Sequence, residues 1–190
     1  LYPEWIDDRL IDVIAREDKI LKYLDIPLQH CNDKILKKMN RRGDKKYLCA
    51  LLDKLRERIP GLVLRTSIIA GLPGEGEEEF DELCDFLREQ KLLRAGVFPY
   101  SPEEGTRAAK MERVDSDEAA RRAERIVDIQ SEIIDAWNDE RQGDVMEVLC
   151  EGFDGQSMLF VGRSYAESPD IDGRIYFSAP RDVAAGEFVP

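Results

Sequence analysis

LVLRTSIIAGLPGEGEEEF, residues 62–80, runs without a break from an apolar strand into a glycine-rich turn and an acidic helix start. Leu62, Val63, Leu64, Ile68 and Ile69 suit a parallel strand covered on both faces, while Arg65, Thr66 and Ser67 interrupt it with side chains that need partners. Gly71, Gly74 and Gly76, with Pro73, allow a sharp turn and a close approach to a ligand. Glu75, Glu77, Glu78 and Glu79 favour the positive end of the following helix. The stretch reads as one strand of an α/β sheet whose C-terminal end holds a small molecule; an ordinary βα turn is the alternative.

The flanks extend this pattern. Trp5, Ile6, Leu10, Val13 and Ile14 recur at helical spacing and predict a helix over 5–19, with Pro3 in a first turn. Residues 23–30 read as a strand ending in polar groups. Asn32 and Asp33 cap a helix through Ile35, Leu36 and Met39, which Gly43 closes. Leu48, Leu51, Leu52 and Leu55 mark a helix over 45–58 that ends at Pro60-Gly61. Phe80, Leu83, Cys84 and Leu87 mark another over 77–90, and 95–101 is a third strand. Alternating helices and strands imply a parallel sheet with right-handed crossovers, closed or partly closed into a barrel. A long loop, 102–114, precedes a helix capped by Asp115-Ser116 and running to about residue 142. After Gly143 the pattern changes to short strands at 145–150, 157–163 and 174–177, separated by Gly and Asp, which predict a small β unit. The expected division is therefore 1–142 and 143–190.

The 190 residues suffice for a real core. Leu1 is not an initiator Met, and Phe188-Val189-Pro190 enters what reads as a strand, so both ends are expected to be cut from a longer protein. The net charge of −12 disfavours a nucleic-acid footprint over the whole chain and favours a basic partner. Cys31, Cys49, Cys84 and Cys150 form no CxxC pair, which argues against a self-contained zinc or iron–sulfur site. With no signal peptide and no long apolar run, the expectation is reduced thiols, a cytoplasmic setting and no membrane. His30 is the sole histidine, so multi-histidine metal sites are excluded here.

Ligands of parallel α/β sheets sit at the carboxyl ends of strands, and each strand offers polar groups there. Gln29 and His30 end the first. Arg65, Ser67 and Gly71 belong to the second, where Arg65 is a candidate partner for a carboxylate and the backbone at Gly71 for an adenine or ribose edge. Tyr100 and Ser101 end the third. An internal ion pair is the competing account of Arg65, and a structural hydrogen bond that of His30.

Three segments carry a resemblance: YLDIPLQHCNDKILKKMNRRG (23–43), RTSIIAGLPGEGEEEF (65–80) and FPYSPEEGTRAA (98–109). Together they resemble the radical S-adenosylmethionine (SAM) methylthiotransferases, RimO type, over nearly the whole chain. The resemblance implies the second half of a TIM-like (β/α) radical SAM barrel followed by most of a TRAM β-barrel. It implies SAM and two 4Fe-4S clusters as cofactors of the parent enzyme, an electron donor, and a CxxxCxxC cluster motif upstream of Leu1. No catalytic or metal-binding residue is then expected within the chain, and the fragment alone would be inactive. Gln29, His30, Arg65, Ser67, Gly71, Tyr100 and Ser101 become candidate SAM contacts, with Ser67 where the wider superfamily often has the first glycine of GxIxG. The implied reaction is reductive cleavage to a deoxyadenosyl radical, hydrogen abstraction from the substrate carbon, and insertion of a methylthio group.

Two substrates compete within the family: an aspartate of small-subunit ribosomal protein twelve, or a transfer-RNA adenosine as in MiaB-type relatives. The last segment carries Asp144, Glu147, Glu151, Asp154, Glu167, Asp170, Asp172, Asp182 and Glu187 against Arg141, Arg163, Arg174 and Arg181. Phosphate grooves need cations, whereas this surface would steer a basic ribosomal protein. A non-catalytic ribosomal-protein-binding module is the alternative for the isolated piece, and an unrelated barrel enzyme ranks last.

Overall fold

A computed structural model describes residues 1–190. The first part runs α1 (Asp8–Arg16), β1 (Tyr23–Asp25), α2 (Asp33–Lys38), α3 (Lys45–Arg58), β2 (Val63–Ala70), α4 (Glu77–Gln90), β3 (Arg94–Pro99) and α5 (Ser116–Asp139). β1, β2 and β3 form a parallel sheet in that order. The second part is an antiparallel sheet of β4 (Val148–Asp154), β5 (Leu159–Arg163), β6 (Ile175–Phe177) and β7 (Phe188–Val189), ordered β6-β5-β4-β7.

Three local readings are corrected. The predicted helix over 5–19 divides: Pro3–Trp5 is a single 3-10 turn, Trp5 is 67% exposed, and the Asp7 carboxylate accepts the Leu10 N–H to start α1. α2 ends at Met39, with Asn40 at φ 56° taking the left-handed turn assigned to Gly43. The strand over 23–30 stops at Asp25: the Ile26 N–H still donates to Arg65 O at 2.8 Å, and beyond it the register slips, so that Gln29 rather than Leu28 makes the next ladder bond. Pairing resumes at Gln29, whose N–H donates to Ser67 O at 2.8 Å and whose carbonyl accepts from Ile69 N at 2.9 Å. Between these points the buried Thr66 hydroxyl accepts the Leu28 N–H at 3.1 Å.

Alternation along β2 sets the layers. Leu64, Thr66, Ile68 and Ala70 are buried on one face, where α3, α4 and α5 close a core that includes Leu52, Leu55, Phe80, Leu83, Phe86 and Ile126. Arg65, Ser67 and Ile69 take the other face and are half-buried, so the expectation of a strand covered on both sides fails over its upper half. At the N-terminal end of that inner face, Val63 and Leu93 pack under Ala166, from the loop after β5.

That loop is fastened by charge. Arg94 donates to Glu167 at 2.7 Å and to the Ala166 carbonyl at 3.2 Å. Asp172 accepts from the Tyr23 hydroxyl at 2.6 Å and the Ser168 N–H at 2.8 Å, and lies 3.9 Å from Arg65. Burial and the Asp172 carboxylate push the Tyr23 phenol well above its ordinary range, keeping it a donor. Asp172→Ala removes these contacts and should cost about 2 kcal/mol, two or more hydrogen bonds to a charged acceptor. Urea denaturation measures it, and an unchanged midpoint would refute the fastening.

Candidate active-site cleft

At the C-terminal ends of β1, β2 and β3 the inner face opens into a cleft of about 520 Å3. Gln29, Ser67, Ile69, Phe98, Tyr100, Ser101 and the loop residues Glu103 and Thr106 line it. Each reaches it for a local reason. Gln29 is clamped by the two ladder bonds and held at φ 69°, and Ser67 falls on the inward parity of β2. Tyr100 is fixed by its N–H, which donates to Ala70 O at 2.8 Å. Its phenolic oxygen is buried and has no partner within the protein. A buried hydroxyl left unpaired is costly unless something arriving in the cleft completes it. Phe98, 56% exposed, offers an open aromatic face beside these polar groups.

Of the seven candidate contacts, Gln29, Ser67, Tyr100 and Ser101 converge on this cleft. The other three do not. Arg65 is only the third residue of β2, roughly 16 Å below Ala70 at the rise of a strand. There it donates to Asp25 at 2.6 Å, the internal ion pair that competed with a ligand role. Gly71, at φ 80°, turns its Cα toward Ala119 of α5, and its N–H donates to Glu75 Oε1 at 2.9 Å. His30 is fully buried: Nδ1 accepts the Asn32 N–H at 2.9 Å, which places the ring proton on Nε2, 3.3 Å from Glu75 Oε2.

Glu75, read from sequence as a helix-dipole carboxylate, is instead the centre of a buried ionic group. Arg122 of α5 donates to Glu75 Oε1 at 2.9 Å and to its carbonyl at 3.0 Å, and also reaches Glu77 and Glu118. Burial opposes the charge on Glu75, but the His30 ring N–H facing it at 3.3 Å and hydrogen bonds from the Gly71 N–H and Arg122 outweigh it and hold the carboxyl below its ordinary range. The group ties the segment after β1, the β2–α4 turn and α5 together directly behind the cleft. Arg122 lies 47 residues from Glu75, beyond the reach of any local pattern.

Residues 3–87 match the family model of the radical SAM superfamily, and 143–190 that of the TRAM domain. The chain is 45% identical over 189 residues to the ribosomal protein uS12 methylthiotransferase RimO of Acetivibrio thermocellus, and 47% identical over 190 to that of Pelotomaculum thermopropionicum. Over nearly its whole length the chain is similar to the RimO-type radical SAM proteins. These alignments take in 99% and 98% of the chain but 42% and 43% of the relatives, so the chain spans less than half their length. Coproporphyrinogen III oxidase (HemN) from Escherichia coli shares the fold, with a TM-score of 0.56 at 21% identity over 70% of this chain and 31% of that one.

The radical SAM match over residues 3–87 implies SAM and 4Fe-4S clusters. The cleft fits a nucleoside-bearing cofactor: an unpaired buried hydroxyl, an open aromatic face and several hydrogen-bonding side chains meet there. The chain does not offer a ligand set for a cluster. Its four cysteines are unpaired and dispersed, no three His, Cys, Asp or Glu side chains gather to hold a metal ion, and burial pushes the Cys31 thiol up. No helix is long and apolar enough to cross a membrane.

Proposed function

We propose that residues 1–142 are the C-terminal half of a radical SAM barrel and 143–190 its TRAM unit. The parent enzyme would add a methylthio group to the β-carbon of an aspartate in ribosomal protein uS12. The observation that carries this reading is the meeting of Gln29, Ser67, Tyr100 and Ser101, from three successive strand ends, on one cleft of a chain with RimO relatives. When bound, SAM and a cluster held by residues outside this chain supply the one-electron chemistry that activates an unreactive carbon. The chain's own part is to bind, orient and exclude water. Tyr100 Oη and the Ser67 and Ser101 hydroxyls offer hydrogen bonds, Phe98 offers a ring for stacking, and Gln29 offers an amide at the cleft wall.

Charge supports the protein target. Within 143–190, nine carboxylates face three arginines, and Asp144, Glu147, Asp170 and Asp182 are exposed without ion-pair partners. A basic ribosomal protein suits this surface and a phosphate backbone does not. The parent enzyme also requires an electron donor, and the setting consistent with a ribosomal substrate is the cytoplasm.

The test is the full-length enzyme, reconstituted with iron and sulfide, given SAM and reductant with uS12 or transfer RNA. Mass spectrometry should find one methylthio group on an aspartate of uS12; modification of transfer RNA alone would overturn the assignment. In the same enzyme Tyr100→Phe should raise the KM for SAM roughly fivefold, the worth of one hydrogen bond at about 1 kcal/mol. Its melting temperature should hold or rise, because the lost hydroxyl has no partner in the protein.

A further inference from the structure

One face of this acidic chain has the opposite sign. Beside the cleft, and sharing Ala108 with it, lies an open trough of about 890 Å3. Lys34, Lys37, Lys38 and Arg107 line it, and no carboxylate does. Lys34 is compensated by Glu79 at 3.0 Å, whereas Lys37, Lys38 and Arg107 are exposed and have no ion-pair partner. A basic last turn on α2 has an ordinary explanation in the helix dipole, which accounts for Lys37 and Lys38. It does not account for Arg107, brought from the loop after β3 to the same trough, or for the absence of an acid paired with Lys37, Lys38 or Arg107 in a chain of net charge −12. The Lys38 ammonium lies over Gly74, where no side chain intervenes.

We propose that this trough holds RNA phosphates that flank the protein target when the target is presented to the cleft. The inference rests on the ribosomal reading above: a ribosomal protein lies against RNA, so a target segment reaching the cleft brings the neighbouring backbone to its rim. Two lysines and an arginine without carboxylates suit repeated phosphates, and the polarity complements that of 143–190. The acidic surface grips the basic protein, and the basic trough accepts the RNA beside it. RNA contact of this kind adds affinity and register without reading sequence.

The experiment uses the full-length enzyme and a fluorescein-labelled helix of small-subunit ribosomal RNA, followed by anisotropy across a salt series. K37E/K38E/R107E should weaken binding at least about tenfold and flatten the salt dependence by about 2–3 in log–log slope, as expected for three lost phosphate contacts. K37A/K38A/R107A, which removes charge without reversing it, should show the same changes in smaller measure and serves where the reversed charges impair folding. Equal affinity and slope in all three proteins would overturn the proposal. Equal displacement of RNA by poly-L-glutamate at matched charge would also overturn it, in favour of an acidic protein surface. Methylthiolation of free uS12, read on the same preparations, should be unchanged by either variant. If the unsubstituted enzyme fails to modify uS12, the proposed function falls, while RNA binding is still decided by the anisotropy.

Discussion

Glu75→Ala should lower the free energy of unfolding by about 3 kcal/mol, the low end of the loss expected when one partner of a buried ion pair is removed. The carboxylate accepts from Gly71 N and Arg122 Nη1, each at 2.9 Å, and approaches His30 Nε2 at 3.3 Å, with no solvent access. Removing it strands a buried backbone N–H and leaves the buried Arg122 guanidinium with Glu77 and Glu118, of which Glu77 is largely in solvent. Those two remaining partners keep the loss from being larger. The same group sets an acid limit. Because the folded carboxyl is held below its ordinary value of 4.5, its stabilisation is complete above that pH and is lost as pH falls through the lowered folded value. Glu75→Gln, which does not titrate, should therefore show a flatter decline below about pH 4.5 than the unsubstituted chain. Urea denaturation at neutral and acid pH decides both points. A loss under about 1 kcal/mol at pH 7 would mean that the network is not a stabilising centre.

Gly71→Ala should cost about 2–4 kcal/mol, combining the left-handed backbone of a residue with a Cβ and an overpacked helix contact. Gly71 has φ 80°, and an added Cβ would drive into Ala119 Cβ and stand 3.0 Å from its Cα. The two causes can be separated. Ala119→Gly in the Gly71→Ala background relieves the collision but not the backbone strain, and it removes a helix-favouring residue from α5 worth about 1 kcal/mol. A double-mutant cycle should thus give a favourable coupling of about 1 kcal/mol or more. Additive losses would show that Gly71 is required for conformation alone and that α5 does not press on the turn.

The fold was readable where periodicity and capping agreed. α3 and α4 start and stop where the sequence pattern puts them, because Asp44 and Gly76 flank clear apolar stripes. It was less readable where two signals crossed: Trp5 carries helical spacing into a segment that Asp7 cuts, and the strand-like run 23–30 slips register between Ile26 and Gln29. That Gln29, Ser67, Tyr100 and Ser101 would meet at one cleft was legible because polar groups at the C-terminal ends of adjacent parallel strands collect on one rim. The distance of Arg65 from the cleft was not legible, because strand identity alone does not say how far down the sheet a residue sits. The roles of His30, Glu75 and Gly71 depend on Arg122 and Ala119 in a helix some 40 or more residues away, and the partner of Tyr23 lies 149 positions on. Pairings of that span leave no local trace in a single chain.

The loop that packs Ala166 beneath Val63 and Leu93, pinned through Glu167 and Asp172, changes how the two parts of the chain work together. A TRAM unit hung on a slack tether would have to search for a productive alignment, and the tether would fix only an average effective concentration. Seated beneath the three-stranded parallel sheet, it works as a jig. Under the proposed function, a partner held on its acidic surface meets the upper rim at one bearing, and the alignment cost is met when the chain folds rather than at each encounter.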